Sequence, residues 1–415
     1  MANLATWKAG TITVPSSPGP VTVTIGAQPR GIIFFGANWL LEDAVDTGFG
    51  SALFRGMCAP NYSNPAALLQ NAAAAAQAGD QHMIDNYAIL NMTRAGSATV
   101  LYRAAVTSFN SDGFTVNFDV GVAGGYKVIY VVLIDVENCV GIVGLSSVNP
   151  TIGFKAGAAL IHGAWAGPVA SGSDRVQEWY GGGAYRGAST LAWASAGLTC
   201  FTFPSAFGGQ YNINADEFGP HVEICQGGSF LGPFLITSNI TAFPNGVNQF
   251  DFLFTGDGTN GGMAMVWDDE DSTTGFLTLA TSSGGVATVA GLPFPPGLVL
   301  GYSLSNEPAG QNTGARGAIG FSVVTEDFQW AALVDVGAPG YQPDKGSFQS
   351  FQRGAVDCVH NSTVHDGSMV LTDDGFEVTT EEDSAAPGLW IWHAFGHPTG
   401  GWIPSLYRWQ IDYRS

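Results

Sequence analysis

The stretch Val106-Thr-Ser-Phe-Asn-Ser-Asp-Gly-Phe-Thr-Val-Asn-Phe118 decides the fold class. It reads as strand, tight reversal, strand. Asp112-Gly113 is a hairpin-turn dipeptide, since glycine readily supplies the positive φ that tight turns require. Beyond it Phe114, Val116 and Phe118 recur at period two, which places three apolar side chains on one face of a strand. A half-buried antiparallel hairpin follows.

The same pattern returns twice further along the chain. Ile240-Thr-Ala-Phe-Pro-Asn-Gly246 is one residue shorter and is followed by Phe250, Phe252 and Phe254, and Leu371-Thr-Asp-Asp-Gly-Phe-Glu-Val378 is the third version. Three further blocks recur around it in constant order. Upstream, Gly26-Ala-Gln-Pro-Arg-Gly-Ile-Ile-Phe-Phe-Gly-Ala-Asn-Trp39 is echoed by Gly153 to Trp165, matching Gly26 with Gly153 and Gly36-Ala37 with Gly163-Ala164. Its third echo is Pro295-Pro-Gly-Leu-Val-Leu-Gly-Tyr302, which matches Pro29 and Gly31 with Pro295 and Gly297. A short apolar run with no polar alternation, launched by Gly or Pro, is a strand without a solvent face.

Next comes a glycine-rich block carrying one arginine: Gly48 to Gly56, Gly181 to Gly187 and Gly314 to Phe321. It reads as a strand in close backbone contact with its neighbour. An anion nest of backbone N–H groups is the alternative, but no Walker-type Lys-Ser/Thr follows. The closing block is Tyr130-Val-Val-Leu-Ile-Asp135, Met263-Ala-Met-Val-Trp-Asp268 and Leu389-Trp-Ile-Trp-His-Ala394. From Pro29, Ala156 and Pro295 to Gly113, Gly246 and Gly375 the separations are 84, 90 and 80 residues. Near-equal spacing over several blocks is the signature of an internal repeat.

The expected fold class is therefore all-β: three tandem β-sandwich, jelly-roll-like domains forming a pseudo-trimer, with little helix. The boundaries fall at 1–136, 137–270 and 271–397, leaving 398–415 as a C-terminal docking tail. The one helix expected is an insertion in the first copy near 65–78. There Asn64 would serve as N-cap and Pro65 as first helical residue, ahead of the alanines Ala72 to Ala76.

Composition agrees with a packed β protein. In 415 residues, 46% are hydrophobic and 12% charged, enough apolar surface to offset ordering entropy by burial. The 57 glycines are scattered along the chain, as many short strands and turns demand. A formal charge of -20 repels phosphate backbones and anionic membranes, so neither nucleic acid nor membrane is an expected partner. The start, Met-Ala-Asn-Leu-Ala-Thr-Trp-Lys, lacks the pattern of a secretory signal. Cys58, Cys139, Cys200, Cys225 and Cys358 form no even framework and read as buried small hydrophobes in a reducing cytosol.

Chemistry is sparse. Cys358, His360, His365 and Asp366 hold potential metal ligands, but a polar loop is the commoner origin of such a cluster. His393 and His397 are spaced i, i+4 in a strand-like context that does not bring them to one face. Asp268 to Asp271, Glu381 to Asp383 and Asp257 to Asn260 could hold calcium, though acidic loops that keep edges soluble are the simpler reading. No catalytic residue, cofactor or metal is assigned, and the chain reads as non-enzymatic.

The Pro-x-Gly-Ile-Ile-Phe-Phe-Gly run, the glycine-rich middle, the Thr-Ser-Phe-Asn-Ser-Asp-Gly-Phe-Thr-Val-Asn hairpin and the closing Tyr-Val-Val-Leu resemble a β-sandwich repeat of tailed-bacteriophage structural proteins. That resemblance implies a virion component assembled in a bacterial cytoplasm, with other virion proteins, either the major capsid protein or tail components, as partners. The expected role is capsid decoration or cement, because three linked copies suit a local threefold. The alternative is a tail-fibre, baseplate or receptor-binding protein that holds host surface glycan. Its stacking faces would come from Trp165, Trp179, Tyr180, Tyr185, Trp402, Tyr407, Trp409 and Tyr413. The tail residues Trp402, Tyr407, Trp409 and Tyr413 are the candidate interface.

Overall fold

A computed structural model describes residues 7–38, 44–46, 52–70, 80–84, 86–93, 99–134, 136–143, 152–154, 157–165, 175–186, 190–203, 206–215, 221–226, 234–239, 253–254, 260–268, 271–304, 310–313, 318–326, 328–335, 347–350, 356–360, 363–380 and 389–396. None of these lies in a helix, and every ladder between named strands is antiparallel. The all-β expectation holds.

The strands form three large sheets and three small ones. The first large sheet runs β1 (Lys8–Thr13), β11 (Lys127–Leu133), β3 (Gly31–Ala37), β5 (Ala52–Cys58), β6 (Ala66–Gln70), β7 (Asp80–Ile84). Its small companion runs β2 (Gly19–Thr24), β10 (Gly113–Val120), β9 (Val100–Asn110), β8 (Ile89–Met92). The third pair repeats this order. Its large sheet is β21 (Ser272–Thr278), β31 (Leu389–Gly396), β23 (Pro296–Leu304), β25 (Ala318–Thr325), β26 (Gln329–Asp335), β27 (Ser347–Ser350). Its small sheet is β22 (Val286–Val289), β30 (Gly375–Thr380), β29 (Thr363–Thr372), β28 (Val356–His360).

The second large sheet has the same sequence of neighbours: β12 (Cys139–Val143), β20 (Asn260–Trp267), β13 (Ala158–Trp165), β14 (Arg175–Arg186), β15 (Thr190–Phe203), β16 (Ala206–Ala215). Beside it are β17 (His221–Gln226), β18 (Phe234–Asn239) and β19 (Leu253–Phe254). Phe34, Ile161 and Leu300 thus sit on the strand at the third position of their respective sheets.

Two strands leave the sheets that their chain neighbours build. β4 (Ala44–Asp46) lies between β3 and β5 in the chain but pairs with β27, the edge of the third large sheet. β24 (Gly310–Thr313) lies between β23 and β25 but pairs with β16, the edge of the second. The corresponding connection after β13, residues 166–174, lies outside the described residues. Nothing in the linear sequence signals such an exchange, because edge pairing is set by which strand ends lie close in space.

Within the first pair the chain wraps between sheets at β1 to β2, β2 to β3 and β10 to β11, while β5, β6 and β7 meander within one sheet and β8, β9 and β10 within the other. The helix expected near 65–78 is corrected over its first residues: Ala66–Gln70 is strand β6, paired with β5 on one side and β7 on the other. Ala66 and Leu68 are buried in the first sandwich core, so two ladders and apolar burial outweigh the weak intrinsic preference of alanine for helix. Asn64 does not cap. Its Oδ1 accepts from the Val106 amide at 3.0 Å and its Nδ2 donates to the Tyr62 carbonyl at 2.9 Å, tying the approach to β6 to β9. Residues 71–79 lie outside the described set.

The central hairpin forms as read, with one change of role. Asn110 pairs with Gly113, so the reversal is made by Ser111 and Asp112, and Gly113 opens β10 without a positive φ. Glycine is required there by contact: an added Cβ would stand 1.9 Å from the Val23 carbonyl oxygen. Gly375 opens β30 with the same 1.9 Å approach to the Val289 carbonyl oxygen. Phe114, Val116 and Phe118 are buried between the first pair of sheets, and Phe376 and Val378 between the third pair. Each such side chain contributes roughly 1.5–3 kcal/mol. A positive φ is instead shared by Gly26, Gly153 and Gly291, at 78°, 78° and 77°. Gly291 is the third-copy counterpart that sequence matching through Pro295 and Gly297 passed over.

Candidate functional site

The unbroken run Gly31–Ala37 is buried at every position because its sheet has a core on each side. Ile32 and Phe34 point into the first sandwich, with Phe114 and Val116. Ile33, Phe35 and Ala37 point the other way, into a second core that they share with Leu160 and Met265 of the second large sheet and Leu300 of the third. The three large sheets therefore meet on one apolar junction. This junction is the candidate site.

Aromatic rings from all three sheets lock it. Trp7, next to β1, meets Trp267 of β20 with centroids 6.1 Å apart and Phe395 of β31 at 4.8 Å, and Trp267 meets Phe395 at 5.5 Å. Elsewhere in the junction Phe35 lies 5.8 Å from Phe321, against which His162 of β13 also packs at 6.1 Å. Edge-on and tilted ring pairs of this kind add about 0.5–1.5 kcal/mol each beyond area burial.

Polar groups enter the same core. Arg55 of β5 is fully buried, its guanidinium 5.1 Å from the Tyr302 ring centroid and 5.8 Å from that of Phe35. An arginine over ring faces is stabilised by the aromatic quadrupole, more strongly once water is excluded. Burial raises the Tyr302 hydroxyl above its ordinary range, and the Arg55 charge opposes that rise. His393 of β31 is buried and stacked on Phe395 at 4.4 Å. Burial first, and the Arg55 charge second, push its imidazole down to about 3.

The first glycine-and-arginine block is thus a strand and not an anion nest, whereas residues 314–317 of the third lie outside the described residues. Arg55 points into the apolar junction, and the neighbouring Gly56 touches backbone: a Cβ there would stand 1.7 Å from the Ala88 carbonyl oxygen. The closing block is out of register by one residue between copies. Met263 faces the junction, as Ile129 and Val131 do, whereas Tyr130 packs on the first sandwich core. A one-residue slip moves a strand's side chains to the opposite face, and apolar composition on both faces hid it from the sequence.

Side-chain amides fasten the first and second large sheets at their rim. Asn61 Nδ2 donates to the Gly141 carbonyl at 2.7 Å, and the Gly141 amide donates back to Asn61 Oδ1 at 3.2 Å. Asp268 Oδ2 accepts from both the amide and Nδ2 of Asn138, at 3.0 and 2.7 Å, holding β12 to β20. Replacing Asn61 by aspartate keeps the shape but removes the donor. The expected loss is about 1–2 kcal/mol, read as a lower urea midpoint.

Of the residues singled out from sequence, Cys358 stands opposite His365 across the β28–β29 ladder while Asp366 stands opposite Asp357. Among the described residues no three His, Cys, Asp or Glu gather closely enough to hold a metal. Cys58 and Cys139 are free thiols raised by burial, Cys58 in the first sandwich core and Cys139 packed against the junction, which makes them poor nucleophiles. Trp165 ends β13, and Trp179, Tyr180 and Tyr185 lie on β14. Trp402, Tyr407, Trp409 and Tyr413, together with His397, lie outside the described residues. Sequence reasoning named Arg55 and His393 but not their meeting, for which no linear signal exists.

No protein-family model, curated protein or solved structure matches the chain.

Proposed function

We propose that the chain is a structural protein of a tailed-bacteriophage particle, a covalent pseudo-trimer of β-sandwich units that decorates or cements the capsid over a local threefold. The units are residues 1–136, 137–270 and 271–397. One observation carries the reading: the strand order recurs in three large sheets that enclose a common core, and β4 and β24 cross between them. A body of this kind turns three related outer surfaces toward its surroundings. Covalent linkage replaces a concentration-dependent association by an intramolecular one, and sequence drift lets each unit fit a different neighbour.

The formal charge of -20 suits a partner with basic patches and disfavours nucleic acid. Sequence resemblance to phage sandwich repeats supplies the setting. The test is to locate and count the chain in purified particles. It is expected at on the order of tens to hundreds of copies over local threefolds, and capsids lacking it are expected to lose heat resistance. A chain missing from particles, or confined to the few positions that tail symmetry offers, would sink the capsid reading, and tail confinement would favour glycan binding.

A further inference from the structure

We propose that His393, closed into the junction beside Arg55, is an acid-operated latch: the three large sheets stay together while its imidazole is neutral and loosen when it takes up a proton. The inference concerns the chain's own junction and stands apart from where the protein works.

The geometry leaves the imidazole no place for a second proton. His393 is 1% exposed, and among the described residues neither ring nitrogen has a hydrogen-bond partner. On its two flanks the ladder sets Thr274 of β21 and Leu300 of β23 opposite it, and Phe395 stacks on the ring with planes 19° apart. The titratable and charged groups described in the same core are Arg55 from β5, Tyr302 from β23 and His162 from β13, and the buried polar residues among those described include no carboxylate. A protonated ring would therefore be a buried cation, near another cation, with no described anion to balance it. Such a charge is tolerated only when water reaches it.

Position makes this a junction device. The ring on which His393 stacks, Phe395, is the one that touches Trp7 and Trp267, which come from the first and second sheets. Hydrating His393 therefore disturbs the aromatic contact shared by all three sheets. A histidine buried inside one sandwich would lack that reach.

The sign of the pH effect follows from the depressed folded value, about 3 against 6.5 for the free side chain. Above 6.5 neither closed nor open chain is protonated here, and stability is full. As pH falls below 6.5 the open chain binds a proton that the closed chain refuses, so stability is lost progressively toward pH 3. Each unit of pH within that window shifts the closed-to-open ratio by about tenfold.

The experiment compares urea unfolding of the full chain and of His393→Phe at pH 7, 6, 5 and 4. Carboxylate effects are common to both and cancel in the comparison. The variant's closed-to-open ratio is expected to gain on the original by roughly tenfold per unit below about pH 6. Parallel pH profiles would overturn the latch. If His393→Phe does not fold, the original chain labelled with carbon-13 at histidine Cε1 decides. At least one of its seven ring signals is expected to remain neutral to about pH 4 while the chain is folded, and seven signals all titrating near 6.5 would refute the proposal.

Discussion

Trp267→Ala is expected to lower the stability of the whole chain by about 3–5 kcal/mol, as one shifted transition. The indole is fully buried at the end of β20, where it meets Trp7 beside the first large sheet and Phe395 of the third. Its removal leaves a cavity that three separate sheets would have to close. They cannot collapse independently, since each is also held from behind by its own ladders or sandwich core. Urea denaturation followed by far-ultraviolet circular dichroism checks this. Two resolved transitions, with only the one belonging to residues 137–270 moved, would show that the junction does not couple the units.

Gly56→Ala is expected to cost about 3 kcal/mol or more, for an added methyl group alone. The new Cβ would lie 1.7 Å from the Ala88 carbonyl oxygen and 2.6 Å from its carbon, both backbone atoms. Relief by movement is blocked because Gly56 is paired with Phe34 on one side and Ala66 on the other, in the interior of the sheet. Residue 88 leads into β8, so the clash would force the first large and small sheets apart just where they close. A midpoint change of under 0.5 kcal/mol by urea titration would mean that the two sheets are not this close.

The legible part of the fold lay in periodicity and punctuation. Alternation at Phe114, Val116 and Phe118 announced a hairpin, and the period-free run after Gly31 announced a strand with no wet face. What that second pattern could not say is that its two dry faces belong to different cores, one inside the first pair of sheets and one between the three large sheets. The start of the expected helix, Ala66–Gln70, became a strand for a related reason. Its helix preference is a local term of a few tenths of a kcal/mol per residue, smaller than the pairing and burial that tertiary contact supplies.

The candidate site was legible only as separate letters. Arg55 was noticed for its glycines and His393 for its spacing from His397, and neither pattern pointed to the other residue. Their proximity joins strands far apart in the chain, carried by different large sheets, and depends on the register of each ladder. A shift of one residue would turn either side chain to the opposite face.

By itself, then, the amino-acid order determined the all-β class, the hairpins, the recurring glycines and the threefold recurrence of blocks, because these follow from backbone sterics and side-chain alternation over a few residues. Only the tertiary structure decided that β4 and β24 cross to other sheets, that Arg55 and His393 share one dry core, and that Trp7, Trp267 and Phe395 meet. Those contacts are chosen by shape and burial between distant segments, and no short stretch of sequence contains them.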